Sequence, residues 1–188
     1  MLAFATADDL AALLNRTFTS AEEAWVGTLL DAASSYLRGL ADGQILYPQQ
    51  TVTYTGYPSA GREDLPQWPV VSVGSVTRDG APVEYKYRPG FIMVSGDEPV
   101  DITFTFGHVT APTELNRLAC VLVSAALIPL EAELGLTAGG LSSVALDDFK
   151  VAFADAGAQS GMTLPKIQAD AVRKQFGRGG IDTVEARW

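Results

Sequence analysis

His108 is the chain's one histidine and Cys120 its one cysteine. A single imidazole excludes His-rich zinc sites and the paired-histidine ligands of metalloproteases. His108 stands in "FGHVTAP", between an alternating stretch and a helical one, where bonding to local backbone is its expected role. Cys120 sits inside the apolar run "LACVLVSAALIPL" and reads as a small buried side chain. Ser160 in "GAQSG" does not match the G-x-S-x-G nucleophile elbow and lacks the strand and helix that such an elbow joins. Neither a Gly-Lys-Ser/Thr phosphate loop nor a G-x-G-x-x-G fingerprint occurs. What remains are the acidic pairs Asp8/Asp9, Glu22/Glu23, Asp97/Glu98 and Asp147/Asp148. Each stands at a helix start or a turn, where carboxylates are ordinary because they meet free backbone N–H groups. The expectation is a protein that is not an enzyme and that carries no cofactor and no metal.

The elements that hold these residues are bounded by composition. A chain of 188 residues fits one domain with an inserted part, and 47% apolar residues are too many for a disordered one. Thirteen basic and 22 acidic side chains leave a formal charge of −9. That balance argues against general binding to nucleic acid or to anionic membrane, since phosphate affinity comes from clustered Lys and Arg. The charge is uneven: residues 1–163 carry −11 and residues 164–188 carry +2. With a lone cysteine no intrachain disulfide forms. The start "MLAFATADDL" has no basic region or cleavage site, and the 13-residue apolar run is too short to span a bilayer. Synthesis in a reducing cytoplasm is expected.

The pattern predicts an α+β fold: a helical core of about four helices, an inserted antiparallel β-meander and an extended C-terminal tail. Thr6, with acids behind it, opens a short helix over 6–15. Thr19 or Ser20, with Glu22 and Glu23, opens a second over 20–39, whose apolar stripe includes Trp25, Leu29, Val26, Leu30, Ala33 and Leu37. A β-insert fills 50–106. Strands near 70–77, 83–87, 91–94 and 100–106 are expected to pair in succession, turning at Asp79-Gly80, Pro89-Gly90 and Gly96-Asp97. "PSAGREDLPQ" reads as a loop long enough to reach a neighbour. Helices return over 112–128 and 164–176. The first of these is apolar all round from Ala119 to Leu127, which asks for neighbours on every side. Leu118, Val121, Leu122 and Leu127 are therefore expected at a subunit interface. Residues 1–178 form one domain in this reading. Residues 179–188, following "KQFGR", form a docking arm in which Ile181, Val184, Arg187 and Trp188, with Arg178 just before them, meet a partner: the alternation suits an added edge strand, and the terminal indole suits a pocket.

The order of these features resembles the head-to-tail connector (adaptor) proteins of long-tailed bacteriophages, especially those of actinobacterial hosts. "LPQWPVVSVGSVTRDGAPVEY" is similar to the family's LP-x-x-PV-x-SV-x-SV followed by a turn glycine. "DITFTFGHVTAPTELNRLACVLVSAAL" is like its alternating strand, glycine and helix start, and a tract like "VALDDFKVAF" with a final helix completes the order. His108 follows Gly107, whereas relatives often place a histidine before the glycine.

The resemblance implies a structural virion protein at the head–tail interface. Its copies would form a homo-oligomeric, dodecameric ring below the portal and above a stopper or tail-completion protein, with the arm docked on the portal. DNA would pass through the lumen without specific binding, past a wall whose negative charge keeps it from sticking. Two other readings stand beside it: a stopper or tail-completion protein of the same neck, and a monomeric β-rich binding module.

Overall fold

The computed structural model describes residues 2–133 and 162–177, with the side chains of 128–133 outside that description. The expected docking arm, the glycine-rich stretch 135–140, the Asp147-Asp148 turn and Ser160 all lie outside the described residues. Contacts divide the chain into two compact units. One is helical and is bounded by Met1–Leu40 and Pro112–Val172; the other comprises Ala41–Ala111 and the chain from Arg173 onward.

The helical unit follows its capping chemistry. Helix α1 (Ala7–Leu14) starts at Thr6, whose hydroxyl accepts from the Asp9 amide while the Asp9 carboxylate accepts from the Thr6 amide. It stops at Asn15, which takes a left-handed φ of 49°. Helix α2 (Ser20–Leu40) has the same device with Thr19 and Glu22, so Thr19 is its cap. Its buried stripe holds Trp25, Val26, Leu29, Leu30, Ala33 and Leu37. Two polar residues join that stripe. Ser34 accepts a bond from the Phe4 amide at 2.9 Å, and the Arg38 guanidinium lies 4.4 Å over the Phe4 ring. Together they pin the segment before α1 onto α2. Helix α3 (Thr113–Glu133) runs five residues past its expected end, through Pro129, which forfeits an amide bond without stopping the helix. Helix α4 (Lys166–Phe176) buries Ala169, Val172 and Phe176. Just before it, the Leu164 amide donates to the Tyr36 hydroxyl at 3.2 Å.

From Ala41 to Ala111 the second unit is built of antiparallel strands. Strands β1 (Gln50–Gly56), β3 (Val70–Arg78), β4 (Ala81–Pro82) and β7 (Val100–Phe106) form one sheet in the order β1-β7-β3-β4. Strands β2 (Arg62–Asp64), β5 (Tyr85–Arg88) and β6 (Phe91–Val94) form another in the order β2-β6-β5. The expected turns are where the sequence puts them. Asp79 and Gly80 both have positive φ, 50° and 78°, as a two-residue hairpin requires, and Gly90 and Gly96 are at 85° and 78°.

The succession of pairings differs from the expected single meander. The 70–77 strand pairs across the Asp79-Gly80 turn only as far as residues 81–83, where the Val83 amide donates to the Val76 carbonyl at 2.9 Å, and its main partner is β7; β6 pairs with β2 and β5 but not with β7. The reason is burial. Val100, Ile102, Phe104 and Phe106 make one face of β7 wholly apolar, and one sheet alone would leave that face in water. Ile92, Val94 and Leu65, from β6 and the chain after β2, join it in one buried cluster. Two bulges in β3 help bend the chain between layers. The loop expected to reach a neighbour is also tied to its own unit. It contains β2, the Gly61 amide donates to Asp97 at 2.9 Å, and the Leu65 amide donates to the Gly90 carbonyl at 2.9 Å.

The foot of this unit is stitched by four bonds. The Gln44 side chain accepts from the Trp68 amide at 2.7 Å, and the Gln67 side chain accepts from the Ile45 amide at 2.8 Å. The Gly107 amide donates to the Pro69 carbonyl and the His108 amide to the Leu46 carbonyl, both at 2.8 Å. A Cβ on Gly107 would press on the Ile45 and Pro48 carbonyls at 3.2 Å, and its φ is +85°, so glycine is required there.

Phe104 is fully buried, 5.2 Å from the Phe106 ring and edge-on to Tyr54 at 5.7 Å. Phe104→Ala is expected to cost about 3–5 kcal/mol in denaturant unfolding. Thr103→Ala, one residue away on the opposite face, is expected to cost less than about 1 kcal/mol.

Candidate assembly surfaces

Helix α3 carries the four residues expected at a subunit interface, and the structure divides them. Leu122 and Leu127 are 2% and 3% exposed and turn into the helical unit with Leu115, Ala119, Val123 and Ala126. Within one chain their surface is packed against these neighbours. Leu118 is half-buried and Val121 is 39% exposed. With exposed Ala125 and half-buried Ser124, these two follow helical spacing along one open face, with Glu114 and Arg117 at its N-terminal end. Exposed apolar side chains also occur on the other helices of this unit: Leu13 on α1 and Ile167 on α4, the latter at 85%. The arm residues Arg178, Ile181, Val184, Arg187 and Trp188 lie outside the described residues.

A second surface is one that reading the sequence by element missed. The outward face of the larger sheet is a three-by-three array built by cross-strand register. Its rows are Thr51–Thr105–Ser72, Thr53–Thr103–Ser75 and Thr55–Asp101–Thr77. The β1–β7 neighbours bond one another, Thr51 to Thr105 at 2.8 Å, Thr53 to Thr103 at 2.7 Å, and Thr55 donating to Asp101 at 2.7 Å. Eight hydroxyls and one carboxylate make a face without a cation. Alternating threonines in "TVTYT" and "TFT" were the available signal; their meeting needed the register.

The groups with chemical potential are occupied structurally. The Cys120 thiol is buried and pushed up to about 11 by loss of solvent, so it is no nucleophile near neutral pH. His108 uses its backbone amide, bonding Leu46, and its residue is exposed. Glu98 pairs with Arg78 at 3.3 Å, and Asp97 takes the Gly61 amide. Among the described residues, no three His, Cys, Asp or Glu side chains stand together as a metal site, and no helix is long and apolar enough to cross a membrane. An open groove of about 430 Å³ beside the end of α1 is lined by Ala11, Ala12, Asn15, Arg16 and Thr17. The Arg16 guanidinium there is held 2.9 Å from the Glu22 carboxylate.

Asp9 and Glu22 are each held below the usual carboxylate range, first by the backbone amide they cap. A carboxylate depressed in the folded state contributes stability above its unfolded pKa and loses it as pH falls through the folded value. Unfolding free energy should therefore fall from about pH 5 downward. In the Asp9→Asn, Glu22→Gln double variant that decline should be shallower, as followed by denaturant titration at each pH.

No protein-family model matches the sequence, and no curated protein matches it significantly. Two solved assemblies resemble the chain in structure. One is the neck of an empty GTA particle with C6 symmetry, 21% identical over 72% of this chain and 81% of that one, at a TM-score of 0.46. The other is the virion of a native gene transfer agent (GTA) particle, 21% identical over 73% and 81%, at 0.47. A likeness this distant decides neither the fold nor the function of this chain.

Proposed function

We propose that this chain is a structural protein of a bacteriophage neck, an adaptor whose copies close into a dodecameric ring beneath the portal, at the head–tail interface of the virion. The observation that carries the reading is the open face of α3. Leu118, Val121 and Ala125 present apolar surface on a helix whose other sides are filled, and a helix so placed gains most from a second copy. Resemblance of "LPQWPVVSVGSV" and "DITFTFGHVTAP" to the adaptor pattern supports it. The engagement of Cys120, Asp9, Glu22 and Asp97 in packing, capping and turns accords with a protein that works by shape rather than by chemistry. The −11 charge of residues 1–163 suits a ring through which DNA slides without binding. Residues 178–188, with Arg178, Ile181, Val184, Arg187 and Trp188, are the arm that meets the portal, and a stopper or tail-completion protein follows on the other side.

Ring formation is read by light scattering and by micrographs of the protein mixed with portal. Val121→Asp should leave unfolding free energy within about 0.5 kcal/mol of the parent and abolish rings. Leu122→Ala should instead cost about 2–5 kcal/mol of stability, because its site lies inside the protomer. Rings that survive Val121→Asp would move the interface off α3. A protein that stays monomeric with portal present would favour the binding-module reading.

Removing residues 179–188 tests the arm separately. The shortened chain should fold normally and bind portal far more than tenfold more weakly; unchanged binding would show the arm to be a spectator.

A further inference from the structure

The cations of the β unit are gathered on one side of it. Residues 41–111 hold eight acids and four cations. Three of the four cations, Arg62, Lys86 and Arg88, share the outer face of the smaller sheet, where cross-strand register puts them. Arg62, Met93 and Lys86 form one row across β2, β6 and β5, and Asp64, Phe91 and Arg88 form the next. Ile92 and Val94, which alternate with Phe91 and Met93 on β6, are buried in the core, so both rows turn outward. The Arg62 guanidinium lies 3.9 Å over the Phe91 ring, which fixes β2 and β6 to the same side. Asp64 is the one carboxylate in the two rows, and Arg62 holds it at 2.9 Å. Lys86 and Arg88 are exposed and pair with no acid among the described residues, and Met93 beside Lys86 is 39% exposed.

We infer that this basic and apolar face docks a second copy of the chain, which presents to it the end of its larger sheet remote from the foot. That end has the opposite charge. Asp101 stands there between Thr55 and Thr77, the turn before it carries Asp97 and Glu98, and the β3–β4 turn carries Asp79; all four carboxylates are exposed. Arg78, the cation of this end, is engaged by the Glu98 carboxylate at 3.3 Å and the Ser95 carbonyl at 2.8 Å. Tyr57, one residue beyond β1 and 71% exposed, stands at the same end. Carboxylates around a tyrosine complement a face of Lys, Arg, Phe and Met: the acids meet the cations, and the ring is an anchor that a guanidinium can cover. Nucleic acid fits the face less well. The two unpaired cations would neutralise about two phosphates, and the acid excess of the unit repels a polyanion. The docking surface and the surface docked differ, so the contact is heterologous, and successive copies build a closed ring or an open chain. It rests on the ring reading for the presence of neighbouring copies, and uses neither the open face of α3 nor the portal.

The test is a charge swap in the full-length chain, read by sedimentation velocity over a range of concentration and salt, with circular dichroism to confirm folding. One variant reverses the face (Lys86→Glu, Arg88→Glu) and another reverses the end (Glu98→Lys, Asp101→Lys). The parent should self-associate, more weakly as salt rises. Each variant alone should associate about tenfold more weakly or worse, because like charges then meet. An equimolar mixture of the two should regain association, since each reversed surface finds the other. Parent-like association by both variants, a mixture that stays monomeric, or a parent that is monomeric at every concentration overturns the inference. So does a face variant that associates normally but loses affinity for a labelled single-stranded oligonucleotide, because nucleic acid would then be the occupant. Val121→Asp separates this contact from the ring reading: it should abolish rings and leave the salt-sensitive association of pairs in place.

Discussion

The alternation of Val100, Ile102, Phe104 and Phe106 with Asp101, Thr103 and Thr105 is the constraint on which the β unit rests. β7 has a neighbour on each side, β1 and β3, and an apolar face wide enough to need a second layer. That demand, rather than turn chemistry, selects two sheets over one. Each large side chain placed inward is worth about 1.5–3 kcal/mol in burial. The same alternation sends every hydroxyl of the strand outward, so the core and the threonine face have one cause. A shift of one residue in register would exchange them and lose both.

The helical unit solves a different problem. Its helices are short of polar core partners, so their ends are secured locally by two capping boxes, and the segment before α1 by Ser34 and Arg38. Local closure of this kind leaves the flanks free of obligations. On α3 it leaves Leu118 and Val121 outward beside a filled interior. The packed and the open side of α3 are thus distinct, although the amino-acid types on the two sides are alike.

That likeness limits what a sequence reveals. Helix starts were legible because Thr6 with Asp9 and Thr19 with Glu22 are short-range chemistry. The hairpins were legible because Asp79-Gly80 and Pro89-Gly90 encode backbone angles directly. Strand partners were not, since pairing β3 with β7 joins residues about thirty apart and depends on which faces need covering. The packing of α3 was half legible for a related reason. An apolar run over Ala119–Leu127 announces a helix with more greasy surface than one stripe, but periodicity alone does not say that Leu122 is inward and Val121 outward. Arg38 was missed because a buried guanidinium over a phenyl ring looks, in sequence, like any basic residue in a last helical turn.

The stitched foot of the β unit has a topological meaning. Chain entering at Gln44–Leu46 and chain leaving at Gly107–His108 are joined by a backbone hydrogen bond, so some sixty residues form a closed excursion whose two ends share one address. An excursion of that kind behaves as a cassette. Its core is its own, its ends already meet, and its length adds little to the cost of closing the loop that contains it. A helical chain can therefore gain, lose or enlarge such a module while its own helices keep their sequence spacing and their partners, and the outward surfaces of the module can change character without renegotiating the scaffold that carries them.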